Sequence, residues 1–474
     1  MSSRRDFFKQ SAMGIGGMAL GSLLNPATSF GKGTPDPLNG ILGQPHFPAK
    51  AKRVIYLFMS GGPSQIESFD YKPELIKRVG QEIPESLQKT QRNSGMVSAQ
   101  ASFPLVGSPY QFKQYGKSGI WMSDQWPYLS EVADDLCMIK SMYTEAINHE
   151  PAVMFVQTGS QISGRPSIGS WINYGLGTDN ENLPAFVVMI SKGGGAQPLS
   201  ANAWGSGFLP SQHQGVQFRS GNDPVLYLSN PHGVDHHTRR EALDFIKDMN
   251  QGSFDVWGDP EIESKIAAYE MAFKMQTSVP EVTDMSNEPD YIFDMYGEDS
   301  RKPGTFAANC IQARKLAEQD VKFIQLYHMG WDHHGNLPGA FPKMAKSVDQ
   351  ASAALIKDLK QRGLLEDTLV IWGGEFGRTS FSQGRLTATN FGRDHHPGCF
   401  TMWMAGGGVK PGLSYGRTDD FSYNVAENGV HVHDFQATLM HLLGIDHERL
   451  TFRYQGRKFR LTDVHGHVVH DLLV

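Results

Sequence analysis

The feature that most constrains this chain is a repeated exchange between short, mainly apolar runs and longer stretches of helical periodicity. Val54–Met59 reads Val-Ile-Tyr-Leu-Phe-Met and is stopped by Ser60-Gly61-Gly62-Pro63, the pattern of a strand buried on both faces and ended by a turn. Leu136–Met142, Leu183–Ile190, Val321–Tyr327, Thr368–Trp372 and Phe400–Ala405 read as further strands. Pro151–Gln157 starts a helix. Residues 259–277 place Ile262, Ile266, Tyr269 and Phe273 at helical spacing, and residues 343–359 do so with Met344, Val348, Ala351, Leu355 and Leu359. Strands apolar on both sides need cover above and below. The expected class is therefore α/β, a mostly parallel sheet with helices on both faces, and ligands in such folds gather at the carboxyl ends of the strands.

The 474 residues allow two or three domains or one large one. Lys and Arg number 43 against 49 Asp and Glu, a net charge of −6 that excludes a dedicated nucleic-acid binder. Mean hydropathy of −0.37 excludes a multi-span membrane protein. Cys137, Cys310 and Cys399 are too scattered for a disulfide framework or a Cys-rich zinc site. Residues 80–118 are polar and read as an excursion over the surface. The cluster Gly406-Gly407-Gly408 lacks the context of a dinucleotide loop.

At the amino end, Ser-Arg-Arg-Asp-Phe-Phe-Lys (residues 3–9) precedes the small, mildly apolar run Ser11–Leu24. The pair Arg4-Arg5 before Phe7-Phe8-Lys9 resembles a twin-arginine signal, which implies the twin-arginine export machinery as a partner and a periplasmic or cell-envelope location. The expected organisation is an export signal over residues 1–30, a Gly/Pro-rich linker over 31–52 and one domain over 53–474.

Of the 18 histidines, 12 follow residue 300, and several sit beside carboxylates just past predicted strands. Val321–Tyr327 is followed by His328 and Trp331-Asp332-His333-His334-Gly335-Asn336; Thr368–Trp372 by Gly373-Gly374-Glu375-Phe376-Gly377-Arg378-Thr379. Gly392-Arg393-Asp394-His395-His396-Pro397-Gly398 precedes Phe400–Ala405. A lone histidine is more often a surface or hydrogen-bonded residue, but three clusters at strand ends point to metal. Imidazole nitrogens with carboxylate oxygens suit zinc, manganese or iron, and Arg378 and Arg393 offer planar bidentate donors for an oxyanion.

The blocks Gly330-Trp331-Asp332-His333-His334, Gly374-Glu375-Phe376-Gly377-Arg378-Thr379, Gly392-Arg393-Asp394-His395 and Ala405-Gly406-Gly407-Gly408-Val409-Lys410, with Phe58–Asp70 and Asn148–Gly175, resemble the sulfatase-like family called domain of unknown function 1501. The resemblance spans roughly residues 50–470. It implies the three-layer α/β/α sandwich of the alkaline phosphatase and sulfatase superfamily. It also implies a divalent metal, zinc first with manganese, iron or calcium as alternatives, and hydrolysis of a small-molecule or polysaccharide ester of sulfate or phosphate. The competing expectation is a non-catalytic metal- or anion-binding envelope protein on the same scaffold.

Carried over by position, Asp332, His334, Glu375, Asp394 and His395 are the implied metal ligands, with Glu67 or Asp70 standing in for an Asp missing after the first strand. Phe376 replaces a customary His. His149, in Tyr143-Thr144-Glu145-Ala146-Ile147-Asn148-His149-Glu150-Pro151, falls where sulfatases carry a Cys or Ser nucleophile. It is a candidate nucleophile, metal ligand or general acid/base, against the plainer reading of a helix-start residue bonded to a neighbour. With it, Arg378 and Arg393 complete the expected catalytic set. Ser167 and Asp434 read as helix N-caps, and Asp235 as a cap after the turn that holds His232. His441, His447, His465, His467 and His470 read as surface or packing residues.

Overall fold

The computed structural model describes residues 40–192, 199–220, 224–226, 228–387 and 389–474. The expected signal over residues 1–30, and the linker up to residue 39, lie outside these. The described end of the linker lies along the domain, with Ile41 and Leu42 donating to the carbonyls of Tyr174 and Gly175, and Lys50 and Ala51 to that of Leu442.

The central sheet has nine strands: β1 (Arg53–Ser60), β2 (Leu136–Tyr143), β3 (Phe186–Ile190), β4 (Val216–Phe218), β5 (Phe323–Met329), β6 (Thr368–Gly373), β7 (Phe400–Ala405), β8 (Leu413–Tyr415) and β9 (Val430–His431). Their order is β8-β2-β7-β6-β1-β5-β3-β4, with β9 also on β2. The six long strands are those expected from sequence; the three short edge strands were not legible. All pairings are parallel except those of β7, which is antiparallel to both β2 and β6. The connection explains this. Among the described residues of 374–399 there is no helix, but a two-residue ladder of Gly377–Arg378 with His395–His396 and a Gln383–Gly392 bridge, so the chain does not cross back and β7 starts from the edge where β6 ended.

Period-two alternation divides β1 between two cores. Ile55, Leu57 and Met59 join one cluster, and Val54, Tyr56 and Phe58 join the other. The second is covered by α1 (His149–Thr158) and α2 (Ile168–Leu176). Next come α3 (His236–Trp257), α4 (Pro260–Thr283) and α5 (Asp290–Tyr296), then α6 (Phe306–Glu318) and α7 (Leu337–Gln361), which cover the first core. Finally α8 (Val432–Leu442) completes the second. The result is a three-layer α/β/α sandwich with a mostly parallel sheet, as expected. Among the described residues, no helix is long and apolar enough to cross a membrane.

Two local expectations change. Residues 80–118 are not merely surface: Ile83, Val97 and Leu105 form a small core with Phe381 and Tyr423, over the loops at the strand ends. Asp434 is not the N-cap of α8. His431 caps it, and Asp434 sits at N3, accepting from the His431 amide to close a capping box. Ser167 and Asp235 cap α2 and α3 as read.

Candidate metal centre

Four side chains from three strand-end segments converge. His149 is the first residue of α1, presented where the loop after β2 turns into the helix. Asp332 and His334 lie in the turn after β5. There Trp331 is fully buried among Trp126, Phe341 and Trp372, and His333 packs on Phe341. Anchoring residues 331 and 333 in the core leaves the alternate pair, 332 and 334, facing the strand ends. The two-residue ladder does the same for His395: Asp394 takes the hydroxyl of Ser94, His396 contacts the Tyr423 carbonyl at 2.6 Å, and His395 points the other way.

Ligand-capable atoms of His149, Asp332, His334 and His395 all lie within 4.8 Å of one another. The Nε2 atoms of His334, His149 and His395 stand 2.8, 3.2 and 3.4 Å from Asp332 Oδ1. Each opposite ring nitrogen is engaged. His149 Nδ1 meets Glu375 Oε1 at 2.6 Å, His395 Nδ1 meets the Ile147 carbonyl at 2.8 Å, and His334 Nδ1 meets Gln383 Oε1. A carboxylate and a carbonyl only accept, so Nδ1 of His149 and of His395 donates, and Nε2 is the nitrogen that each ring turns to the cluster. His334 Nε2 and His395 Nε2 face each other at 3.1 Å, and among the described residues His149 Nε2 is buried without a hydrogen-bond partner. Lone pairs directed at one another are unfavourable without a positive charge between them. The donor set, with its outer hydrogen bonds, fits a divalent cation.

The surroundings keep the centre polarised. Burial opposes ionisation of Asp332, but contacts from His149, His334, His395 and Arg378 hold its carboxyl far below the usual range. Burial lowers His149, yet with no cation present Asp332 and Glu375 outweigh it and push the imidazole up to about 9, so a divalent ion bound at Nε2 takes the place of a proton there. His395 is lowered, chiefly by burial. Phe376 lies against both, its ring centroid 5.0 Å from His149 and 4.6 Å from His395, and dries the rear of the site.

The family model described as "Protein of unknown function (DUF1501)" matches residues 51–473. The chain belongs to that family. No curated protein matches it. The solved structures similar to this DUF1501 member are distant in sequence. The PsFucS1 sulfatase from Pseudoalteromonas sp. is 12% identical, with 86% of this chain and 69% of that one covered and a TM-score of 0.34. The alkaline phosphatase of the Antarctic bacterium TAB5 is 10% identical, with 83% and 98% covered and a TM-score of 0.32. The lipoteichoic acid synthase LtaP from Listeria monocytogenes is 9% identical, with 88% and 76% covered and a TM-score of 0.34.

Of the expected ligands, the structure brings together Asp332, His334 and His395, and adds His149 beside them. Glu375 stands one step out, shared between His149 Nδ1 and the Gly61 amide at 2.9 Å. Asp394 is fully buried on Ser94 and does not reach the cluster. Glu67 and Asp70 are also elsewhere: Glu67 pairs with Arg393, and Asp70 accepts from Thr418 and Ser422. Arg393 is corrected from oxyanion donor to buried anchor, because it is 0% exposed and spends its donors on Glu67 and the carbonyls of Thr379 and Val106. Arg378 touches the centre through Asp332 Oδ1 at 2.6 Å and otherwise holds the Gly61, Gly62 and Arg393 carbonyls, so it orients a ligand. His328, His333 and His396 are packing residues held neutral, each pushed down to about 4 mainly by burial.

Gln383, the Ile147 carbonyl and the Gly61 amide also serve the centre. Gly61 has φ +114°, and a Cβ there would lie 2.7 Å from the Asp332 amide, so the strand ends in glycine to let the Asp332 turn approach. No spacing in the sequence marks Gln383 or the Ile147 carbonyl.

Proposed function

We propose that this chain is an exported, metal-dependent hydrolase of sulfate or phosphate esters, with its metal held by His149, Asp332, His334 and His395. The observation that carries the reading is the convergence of three imidazole Nε2 atoms and one carboxylate oxygen, each imidazole fixed from behind. Three nitrogens and one oxygen favour zinc, manganese or iron over calcium, which prefers all-oxygen ligation. A divalent metal bound there supplies Lewis-acid polarisation of an ester oxygen and neutralises developing charge.

The chain's own residues do the rest. Glu375, Gln383 and the Ile147 carbonyl fix the three imidazole planes, and Arg378 balances the charge of Asp332. The side chains of Asp332 and His334 are 20% and 21% exposed against 10% and 4% for His149 and His395, so an ester reaches the centre from the Asp332–His334 side. His149 acts as a ligand in this reading rather than as a covalent nucleophile, because its Nε2 is directed at the other donors. Export is inferred from Arg4-Arg5 ahead of the Ser11–Leu24 run.

The test is metal content of the purified chain by plasma emission, followed by a screen of aryl sulfates and phosphate mono- and diesters. His149→Ala and Asp332→Ala should lose both metal and turnover. Full turnover in either variant sinks the site. Bound metal with no ester cleaved sinks the hydrolase and leaves the non-catalytic binding protein.

A further inference from the structure

Two exposed features outside the metal centre are complementary, and each keeps charged side chains without an ion pair among the described residues, although in the second Arg457 pairs with Asp463 and Arg460 with Glu448. The first is α3. Its inner side meets α4, where Arg240 pairs bidentately with Glu270 at 2.8 Å, and Leu243 is buried. Its outer side carries Phe245, Met249, Val256 and Trp257, which are 65%, 59%, 73% and 78% exposed. At about 3.6 residues per turn Phe245, Met249 and Val256 share one face, broken at Gly252, and Trp257 lies about 100° round from Val256 on the side away from the carboxylates named below; none of the four belongs to a hydrophobic cluster of the described residues. Along one flank, at seven-residue spacing, run Glu241, Asp248 and Asp255. Asp248 has no ion pair among the described residues, Glu241 reaches only His237 on its own helix at 3.6 Å, and Asp255 only Gln251.

The second feature is the hairpin of Phe452–Tyr454 and Arg457–Phe459. Residues 449–460 hold Arg449, Arg453, Arg457, Lys458 and Arg460 and no carboxylate, in a chain that is acidic overall. Arg453 and Lys458 are register partners, like charges set directly opposite, an arrangement that weakens a hairpin by itself. Both are exposed, and neither has an ion pair among the described residues. Tyr454, 41% exposed and stacked on Phe208 at 5.1 Å, gives the same hairpin an aromatic contact surface.

We infer that the basic hairpin of one copy of this chain docks on the acid-flanked apolar stripe of α3 in a second copy. Charge selects this occupant over the others. Two α3 helices packed antiparallel about a two-fold axis would set acid line against acid line, and an anionic lipid surface would be repelled by the same carboxylates. The contact joins two different surfaces, so it is heterologous and builds a ring or an open chain. It does not depend on the hydrolase reading.

Sedimentation velocity of the purified chain over a concentration series tests it. The expected result is concentration-dependent association that weakens in about 0.5 M salt. Arg453→Glu with Lys458→Glu, or Asp248→Lys with Asp255→Lys, should each weaken it by about tenfold or more. An equimolar mixture of the two charge-swapped chains should associate again, because acidic hairpin then meets basic helix and basic hairpin meets acidic helix. All four positions are exposed, so the variants should melt with the parent. A monomer at every concentration overturns the inference. So does association unchanged by the swaps, or a mixture that stays monomeric.

Discussion

Arg393 separates a buried anchor from a substrate-binding arginine, and Arg393→Met tests the difference. The guanidinium and Glu67 are both 0% exposed, joined by Nε at 2.9 Å and Nη2 at 2.6 Å, with Nη1 and Nη2 also on the carbonyls of Thr379 and Val106 at 2.8 and 3.0 Å. Methionine keeps much of the volume and removes every donor, leaving the Glu67 carboxylate buried with Ser64 as its remaining partner. Breaking such a pair from one side costs about 3–5 kcal/mol. For about 420 ordered residues the unfolding entropy is about 0.9 kcal/mol/K, so Tm should fall by about 3–6 °C. The assay is calorimetry of parent and variant side by side, with metal content measured on the same samples. Adding Glu67→Leu removes the stranded charge and should regain part of the loss. A variant with unchanged Tm that has lost oxyanion binding or turnover would refute the anchor and restore the donor expected from sequence.

Glu375→Gln should lower metal affinity by about 10–100-fold in a chelator competition while leaving the far-ultraviolet spectrum unchanged; unaltered affinity removes Glu375 from the centre. Gly392→Ala adds a methyl that would sit 1.9 Å from the His334 carbonyl, so bound metal per chain should drop in plasma emission measurements. Burial pushes His213 and His328 down to about 4. The unfolded chain therefore takes up their protons first. Stability in urea melts should be full above about pH 6.5 and fall as pH drops through 4, by at most about 3 kcal/mol per histidine, with His213→Leu flattening the slope. Asp434→Ala breaks the capping box and the bond to the His467 amide, and should cost about 0.5–2 kcal/mol in the same melts.

The six long strands were legible because each is buried on both faces and so is dominated by consecutive apolar residues, with only scattered polar ones such as Lys140, Ser141 and Gln325. The edge strands Val216–Phe218, Leu413–Tyr415 and Val430–His431 were not, since two or three residues carry no period. The direction of Phe400–Ala405 was equally hidden: it follows from where residues 374–399 fail to cross the sheet, not from composition. Within the site, Asp332, His334 and His395 could be read because ligand-type residues clustered just past strands. Asp394 could not be told from His395, because adjacent residues in extended chain point to opposite sides and only the fold says which side faces the centre.

Sequence by itself determined the layers, the family and the edge of the sheet where the His/Asp cluster gathers, since these follow from hydrophobic period and from residues packed into contiguous motifs. Tertiary structure alone decided which donors meet. His149 precedes Asp332 by 183 positions, yet their side chains stand 3.2 Å apart. Arg393, one residue from Asp394 and two from His395, is spent on Glu67. Metal ligation and buried ion pairing use the same residue types, and short-range forces select between them only after distant segments have been brought within a few ångströms.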